Sequence, residues 1–126
     1  MTFRGQLEGF VGSGVEALRK SVEDSGVRPL ARTLGIDPHT VRGCLAGQFS
    51  PATLRDAMCQ AGLGDEYERF MGDLRARVLQ DPHSFVAAGV RPAAVGRFIA
   101  DSYSIYWDTL IRIVATADGL REVARA

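Results

Sequence analysis

The stretch that decides the fold covers residues 27–46 and reads VRPLARTLGIDPHTVRGCLA. Two short helices that cross at a steep angle need a small residue where they meet, and Ala31 supplies it. The turn between them needs a residue that tolerates positive φ, and Gly35 supplies that. Asp37-Pro38 then restarts the chain as an N-cap followed by proline at the first helical position. The residues spaced to fill the space between the two helices are all apolar: Leu30, Leu34, Ile36, Val41 and Cys44.

Helical patterns continue on both sides of this stretch. Apolar residues recur at helical spacing from Leu7 to Val22, so residues 3–24 include an amphipathic helix. Three glycines weaken its first half, and Gly26 is a plausible C-terminal cap. Ser50-Pro51 repeats the start signal and predicts a helix to about Ala61, and another helix follows from about residue 66 to 79.

No alternating run of β-branched and aromatic residues is long enough to indicate a strand. The sequence therefore predicts an all-α fold in two parts. A helix-turn-helix domain of four to five helices would occupy residues 1–64. An additional helical region would follow at 65–126.

Residues 15–61 resemble the helix-turn-helix of the Cro/C1-type (XRE-like) regulators of bacteria and phages. The diagnostic residues are Ala31, Gly35 four positions later and Val41 six positions further on. The resemblance implies a transcription regulator that binds double-stranded DNA. It also implies that the helix Pro38–Ala46 lies in the major groove as the recognition helix.

Arg42 is the best candidate for a base contact, because its guanidinium can bridge guanine O6 and N7, although it could instead hold a phosphate or stay solvated. His39 and Thr40 can donate to a phosphate or a base edge, or simply face solvent, and Asp37 is a helix cap rather than a base reader. Gly43, costly inside a helix, indicates close approach to DNA or close packing on a neighbouring helix. The full set of expected DNA-binding residues is Arg28, Arg32, Thr33, His39, Thr40, Arg42, Gly43, Ala46, Gln48 and Ser50.

The charge balance leaves room for a second interpretation. Fifteen basic and fifteen acidic residues give zero net charge, which argues against binding by bulk electrostatics. A local basic face remains, because residues 28–42 hold three arginines and a histidine against Asp37 alone. The neutral total nevertheless favours an alternative, a helix-turn-helix-fold adaptor that binds a protein partner of the transcription machinery instead of DNA.

Nothing in the sequence indicates an enzyme, a cofactor or a metal site. Cys44 falls at an apolar position between the helices and Cys59 within an apolar helix stripe, so both are expected in the core. His39 and His83 lack metal-ligand spacing with either thiol, and no phosphate loop or nucleophile elbow is present. The first residues lack a signal-peptide pattern and no apolar run could cross a bilayer, so we expect a cytoplasmic protein.

Residues 93–117 carry more apolar surface than one helix face needs. This predicts a helix that packs with one side on its own domain and with the other side on a partner chain. The partner would be a second copy in a homodimer, or a second regulatory protein. A hint of repetition also leaves open a second helix-turn-helix-like unit at 96–115, with Ser104 in the place of Gly35. The expected partner-binding residues are Tyr103, Tyr106, Trp107 and Ile111.

Overall fold

A computed structural model describes residues 1–125 of the chain, with side chains up to residue 121. These residues form eight α-helices and no strand, so the expected all-α class is confirmed. No helix among them is long and apolar enough to cross a membrane. The helices are α1 (Phe3–Ser25), α2 (Val27–Leu34), α3 (Pro38–Leu45), α4 (Pro51–Gln60), α5 (Gly64–Gln80), α6 (Pro82–Ala87), α7 (Pro92–Ala100) and α8 (Trp107–Arg125).

The turn between α2 and α3 has the predicted geometry. Gly35 is left-handed, with φ 69° and ψ 29°, and the N–H of Ile36 donates to the Ala31 carbonyl at 3.0 Å. Asp37 caps α3, because its carboxylate accepts the Thr40 N–H at 2.8 Å. Leu34 and Ile36 are half-buried between the helices. The other residues expected there are at most 4% exposed: Leu30, Ala31, Val41 and Cys44.

α1 runs unbroken through Gly9, Gly12 and Gly14, since its apolar face is held against the rest of the protein. Its first turn is capped twice. The Thr2 hydroxyl accepts the Gly5 N–H at 2.9 Å. The carboxylate of Asp118 on α8 accepts the N–H groups of the first two helical residues at 2.8 and 3.0 Å. A carboxylate at this end also interacts favourably with the helix dipole.

α1 packs on α2, α3, α4, α5 and α8 and is the central helix of the fold. Its approach to α4 depends on Gly14, which is buried. A Cβ at this position would lie 3.2 Å from the Met58 Cε, 3.3 Å from the Ala57 Cβ and 3.3 Å from the Leu54 Cδ1. The missing side chain therefore sets how closely the two helices pack.

The hydrophobic core is continuous across the boundary predicted at residue 64. The Phe10 ring of α1 lies 5.4 Å from Tyr67 and 5.5 Å from Phe70, both on α5, in edge-to-face contacts. The Tyr67 hydroxyl donates to the Pro51 carbonyl at 3.2 Å, which ties α5 to the start of α4. One hydrophobic core therefore includes residues of both predicted parts, 1–64 and 65–126. The division into two domains stays a prediction.

The expectation of one helix over residues 93–117 is wrong. The chain leaves helix at Asp101 and resumes it at Trp107. Local polar groups hold the break: the Asp101 carboxylate accepts the Tyr103 N–H at 3.1 Å, and the Ser102 hydroxyl donates to the Phe98 carbonyl at 2.8 Å. Ser104 does not adopt positive φ, and α7 packs on α5 and α6, so the break lacks the Gly35 turn of the first unit.

Candidate nucleic-acid interface

One face of α3 points away from the core. Val41 and Cys44 bury the opposite face, at 0% and 1% exposure. His39 and Arg42 on the outer face are exposed three residues apart, and the exposed C-cap residue Ala46, four residues further on, continues their row. α3 therefore presents an imidazole and a guanidinium side by side to solvent.

α2, which packs on α3, carries two further cations. Arg28 and Arg32 are four residues apart on one side of α2, and both are exposed. Within the part of the chain whose side chains are described, one ion pair forms, Arg4–Glu8 on α1, so no carboxylate neutralises the arginines of α2 and α3. Neither α2 nor α3 contains an acidic residue. These guanidinium groups remain available for phosphates or base edges.

Thr40 and Asp37 are joined by two hydrogen bonds. The Thr40 N–H donates to the Asp37 carboxylate at 2.8 Å, and its hydroxyl donates to the same group at 3.1 Å. These hydrogen bonds hold the pKa of Asp37 below its ordinary value, so the carboxylate stays charged. A negative charge occupies the start of α3, and a DNA phosphate would be repelled there.

Gly43 has no neighbouring helix against it. The three atoms nearest to a Cβ at this position all belong to Gln48, at 3.6 Å or more, which is ordinary van der Waals contact. Close packing on another helix, one of the two reasons expected for this glycine, is therefore absent among the described residues. The Gly43 carbonyl accepts the Gln48 N–H at 2.9 Å and closes the turn after α3.

Two other polar residues of the predicted set are engaged locally. The Thr33 hydroxyl donates to the Pro29 carbonyl at 3.1 Å. Ser50 caps α4, since its hydroxyl accepts the Thr53 N–H at 3.1 Å while the Thr53 hydroxyl accepts the Ser50 N–H at 2.8 Å. The exposed side chains without such a partner are Arg28, Arg32, His39, Arg42 and Gln48.

The four expected partner-binding residues do not form one surface. Tyr103 is half-buried, with the Arg55 guanidinium 4.5 Å above its ring. Tyr106 is 81% exposed and lines a cavity beside α7. Trp107 is half-buried, and with Ile111 it lines a different cavity of about 400 Å³ against α1 and Gly47. These side chains therefore lie in three different parts of the surface: against Arg55, in the cavity beside α7 and in the cavity against α1.

The two cysteines differ, contrary to expectation. Cys44 is 1% exposed, and burial raises the pKa of its thiol. Cys59 is exposed, so its predicted core position is wrong. The buried stripe of α4 follows Leu54, Ala57 and Met58, and the next residue turns away from it. No group of three potential metal ligands occurs among the described side chains.

A second group of basic residues carries no signal in the sequence. Arg91, Arg97 and Arg112 line one cavity between α7 and α8. No periodic pattern joins these positions, because they belong to a turn and two different helices. Only the tertiary fold brings them together.

Comparison of the chain with protein-family models, curated proteins and solved structures finds no match.

Proposed function

We propose that the protein is a sequence-specific DNA-binding regulator of transcription that reads the major groove with α3. The observation that carries this proposal is the outer row of α3, where Arg42 is exposed without an ion-pair partner and His39 is exposed beside it, above a buried apolar face. A helix held at its buried face and basic at its exposed face suits the major groove. The proposal places the protein in the cytoplasm, where a bacterial or phage regulator meets its DNA.

Within this proposal the exposed residues divide by task. Arg42 reads a base, because it is exposed on the outer row of α3 and its guanidinium can bridge guanine O6 and N7. Arg28 and Arg32 on α2 hold phosphates and fix the register of the protein on the duplex. The test begins with selection of a preferred duplex from a randomised library, followed by mobility-shift titration of the protein on that duplex.

Arg42→Ala is expected to lower affinity for the selected duplex by about 1–3 kcal/mol and to relax preference at one base pair. Arg28→Ala should weaken binding equally for all sequences and reduce the salt slope by about 1. Arg69→Ala, which removes an exposed arginine from α5, is the matched control and should bind like the parent. An Arg42→Ala protein that binds its best duplex as tightly as the parent would show that Arg42 is not the reader.

An adaptor that docks on the transcription machinery is the second candidate. Two observations favour it: the zero net charge of the chain and the 81% exposure of Tyr106, a large aromatic residue of the kind enriched at protein interfaces. The selection experiment separates the two functions. If the selection enriches no duplex, the DNA-binding proposal fails and the adaptor function is favoured.

Pairing of two copies belongs to the same proposal, because single helix-turn-helix units contact few base pairs and usually act as dimers on two half-sites. Ile111 is 45% exposed on α8, beside the cavity that α8 forms with α1. We place the pairing surface there, with a second copy or another regulatory protein as its partner.

A further inference from the structure

A cavity of about 460 Å³ opens between the turn after α6, the helix α7 and the start of α8. Its floor is apolar, because Val90 and Ile105 are only 3% and 6% exposed. Its rim carries exposed charged and aromatic side chains. The volume of this cavity falls within the range of small-molecule sites. The charged and aromatic residues at the rim are Arg91, Arg97, Tyr106, Asp108 and Arg112.

Three arginines surround this cavity against one carboxylate, that of Asp108. All four side chains are exposed, and no ion pair joins Asp108 to any of the arginines. The Arg112 guanidinium donates one hydrogen bond to the Gly89 carbonyl at 3.1 Å, which fixes it at the rim and leaves its other N–H groups available. Guanidinium groups bind phosphate through paired hydrogen bonds, so an anion of this kind suits the rim.

The remaining wall of the cavity is suited to a planar ring. Tyr106 is 81% exposed, the most exposed aromatic side chain among the described residues. Aromatic side chains stack on nucleic-acid bases with little dependence on the base, because every base has a π face. The Asp108 carboxylate on the same rim can accept hydrogen bonds from a ribose hydroxyl or an exocyclic amine.

We propose that this cavity binds a nucleotide. The phosphate lies among Arg91, Arg97 and Arg112, the base stacks on Tyr106, and Asp108 accepts a hydrogen bond from the sugar or base. The site is separate from the outer row of α3, and nucleotide binding there does not depend on whether the protein binds DNA. It requires only the cavity and the charges that line it.

Isothermal titration calorimetry of the full chain tests this with the four ribonucleoside 5′-monophosphates, with adenosine and with inorganic phosphate. At least one monophosphate should bind with 1:1 stoichiometry, more tightly than adenosine or phosphate alone. Arg97→Gln and Arg91→Gln should each weaken it about tenfold or more, as expected for loss of a hydrogen bond to a charged group. Arg69→Gln makes the same charge change on α5, outside the cavity, and should bind like the parent.

Tyr106→Leu separates stacking from charge: it should weaken nucleotide binding and leave phosphate binding unchanged. These side chains are exposed, so the variants should fold, and their thermal unfolding by circular dichroism checks this. Absence of binding by all four monophosphates at millimolar concentration would overturn the proposal. So would nucleotide affinities unaffected by Arg91→Gln and Arg97→Gln. If the same variants lower affinity for duplex DNA without altering nucleotide binding, the arginines are DNA contacts and the cavity is not a nucleotide site.

Discussion

Replacing Gly14 with alanine tests the close approach of α1 to α4, and Gly12 in the same helix provides the matched control. An alanine Cβ at Gly14 would lie 3.2–3.3 Å from three side-chain atoms of Leu54, Ala57 and Met58, each 0% exposed. At Gly12 the same Cβ would meet nothing within 4 Å. The two changes therefore share their effect on the helix and differ only in packing.

The shared effect is a gain in helix propensity of about 1 kcal/mol, since glycine is that much less favourable than alanine in a helix. Gly12→Ala should keep this gain. Gly14→Ala should lose about 1–3 kcal/mol to overpacking, because the Ala57 Cβ is fixed by its backbone and cannot move aside like the tip of Met58. Gly14→Ala should thus be less stable than Gly12→Ala by about 1–3 kcal/mol.

Thermal unfolding followed by circular dichroism measures the difference. For a chain of 126 residues, 1 kcal/mol shifts Tm by about 4 °C, so Gly14→Ala should unfold about 4–12 °C below Gly12→Ala. Urea titration of both variants at one fixed temperature gives a second measure of their free energies of unfolding. Equal stabilisation of the two variants would refute the reasoning, because it would mean that α1 and α4 leave room for a methyl group.

Gly35→Val should lower Tm and with it any DNA binding, because a β-branched residue resists the φ of 69° found there; unchanged Tm would place the turn elsewhere. The pKa of Asp37 is depressed by its bonds to Thr40, so its stabilising effect is present above the ordinary carboxyl pKa of 3.8 and is lost as pH falls through the lower folded value. Asp37→Asn keeps a capping side chain, so it should reduce the fall in Tm at acid pH. An unchanged fall in Tm would mean that other groups cause it. Trp107→Ala should lower the free energy of unfolding by about 2 kcal/mol, since its ring packs on the core. Ile111→Glu should instead weaken self-association, measured by sedimentation equilibrium, because Ile111 is exposed on α8. A parent protein that is monomeric at all concentrations would exclude the homodimer.

The helices α2 to α4 and the turns between them were predictable because their signals are local. A left-handed glycine at 35, a capping aspartate at 37 and a capping serine at 50 each act on the next few residues, and each has the predicted conformation. The buried faces of α3 and α5 follow from helical spacing alone, as the burial of Val41 and Tyr67 shows.

The C-terminal third was less predictable for two physical reasons. Its apolar content concealed the break that Asp101 and Ser102 make through side-chain hydrogen bonds to the backbone, which compete with helix. The directions of Tyr103, Tyr106 and Trp107 depend on which helices pack beside them, and no local pattern carries that information. The same limit hid the arginines of the cavity beside α7, since their proximity arises only from tertiary contacts.

The placement of Trp107 has a spectroscopic consequence. It is the single tryptophan of the chain, and it lies where α8 meets α1 and Gly47, just beyond the end of α3. Indole emission selected by excitation at the tryptophan band therefore originates from this one junction. Any event that moves α8 against the turn after α3 should alter the wavelength or intensity of that emission, without a label and without a substitution. A ligand or duplex that leaves the junction in place should be spectroscopically silent.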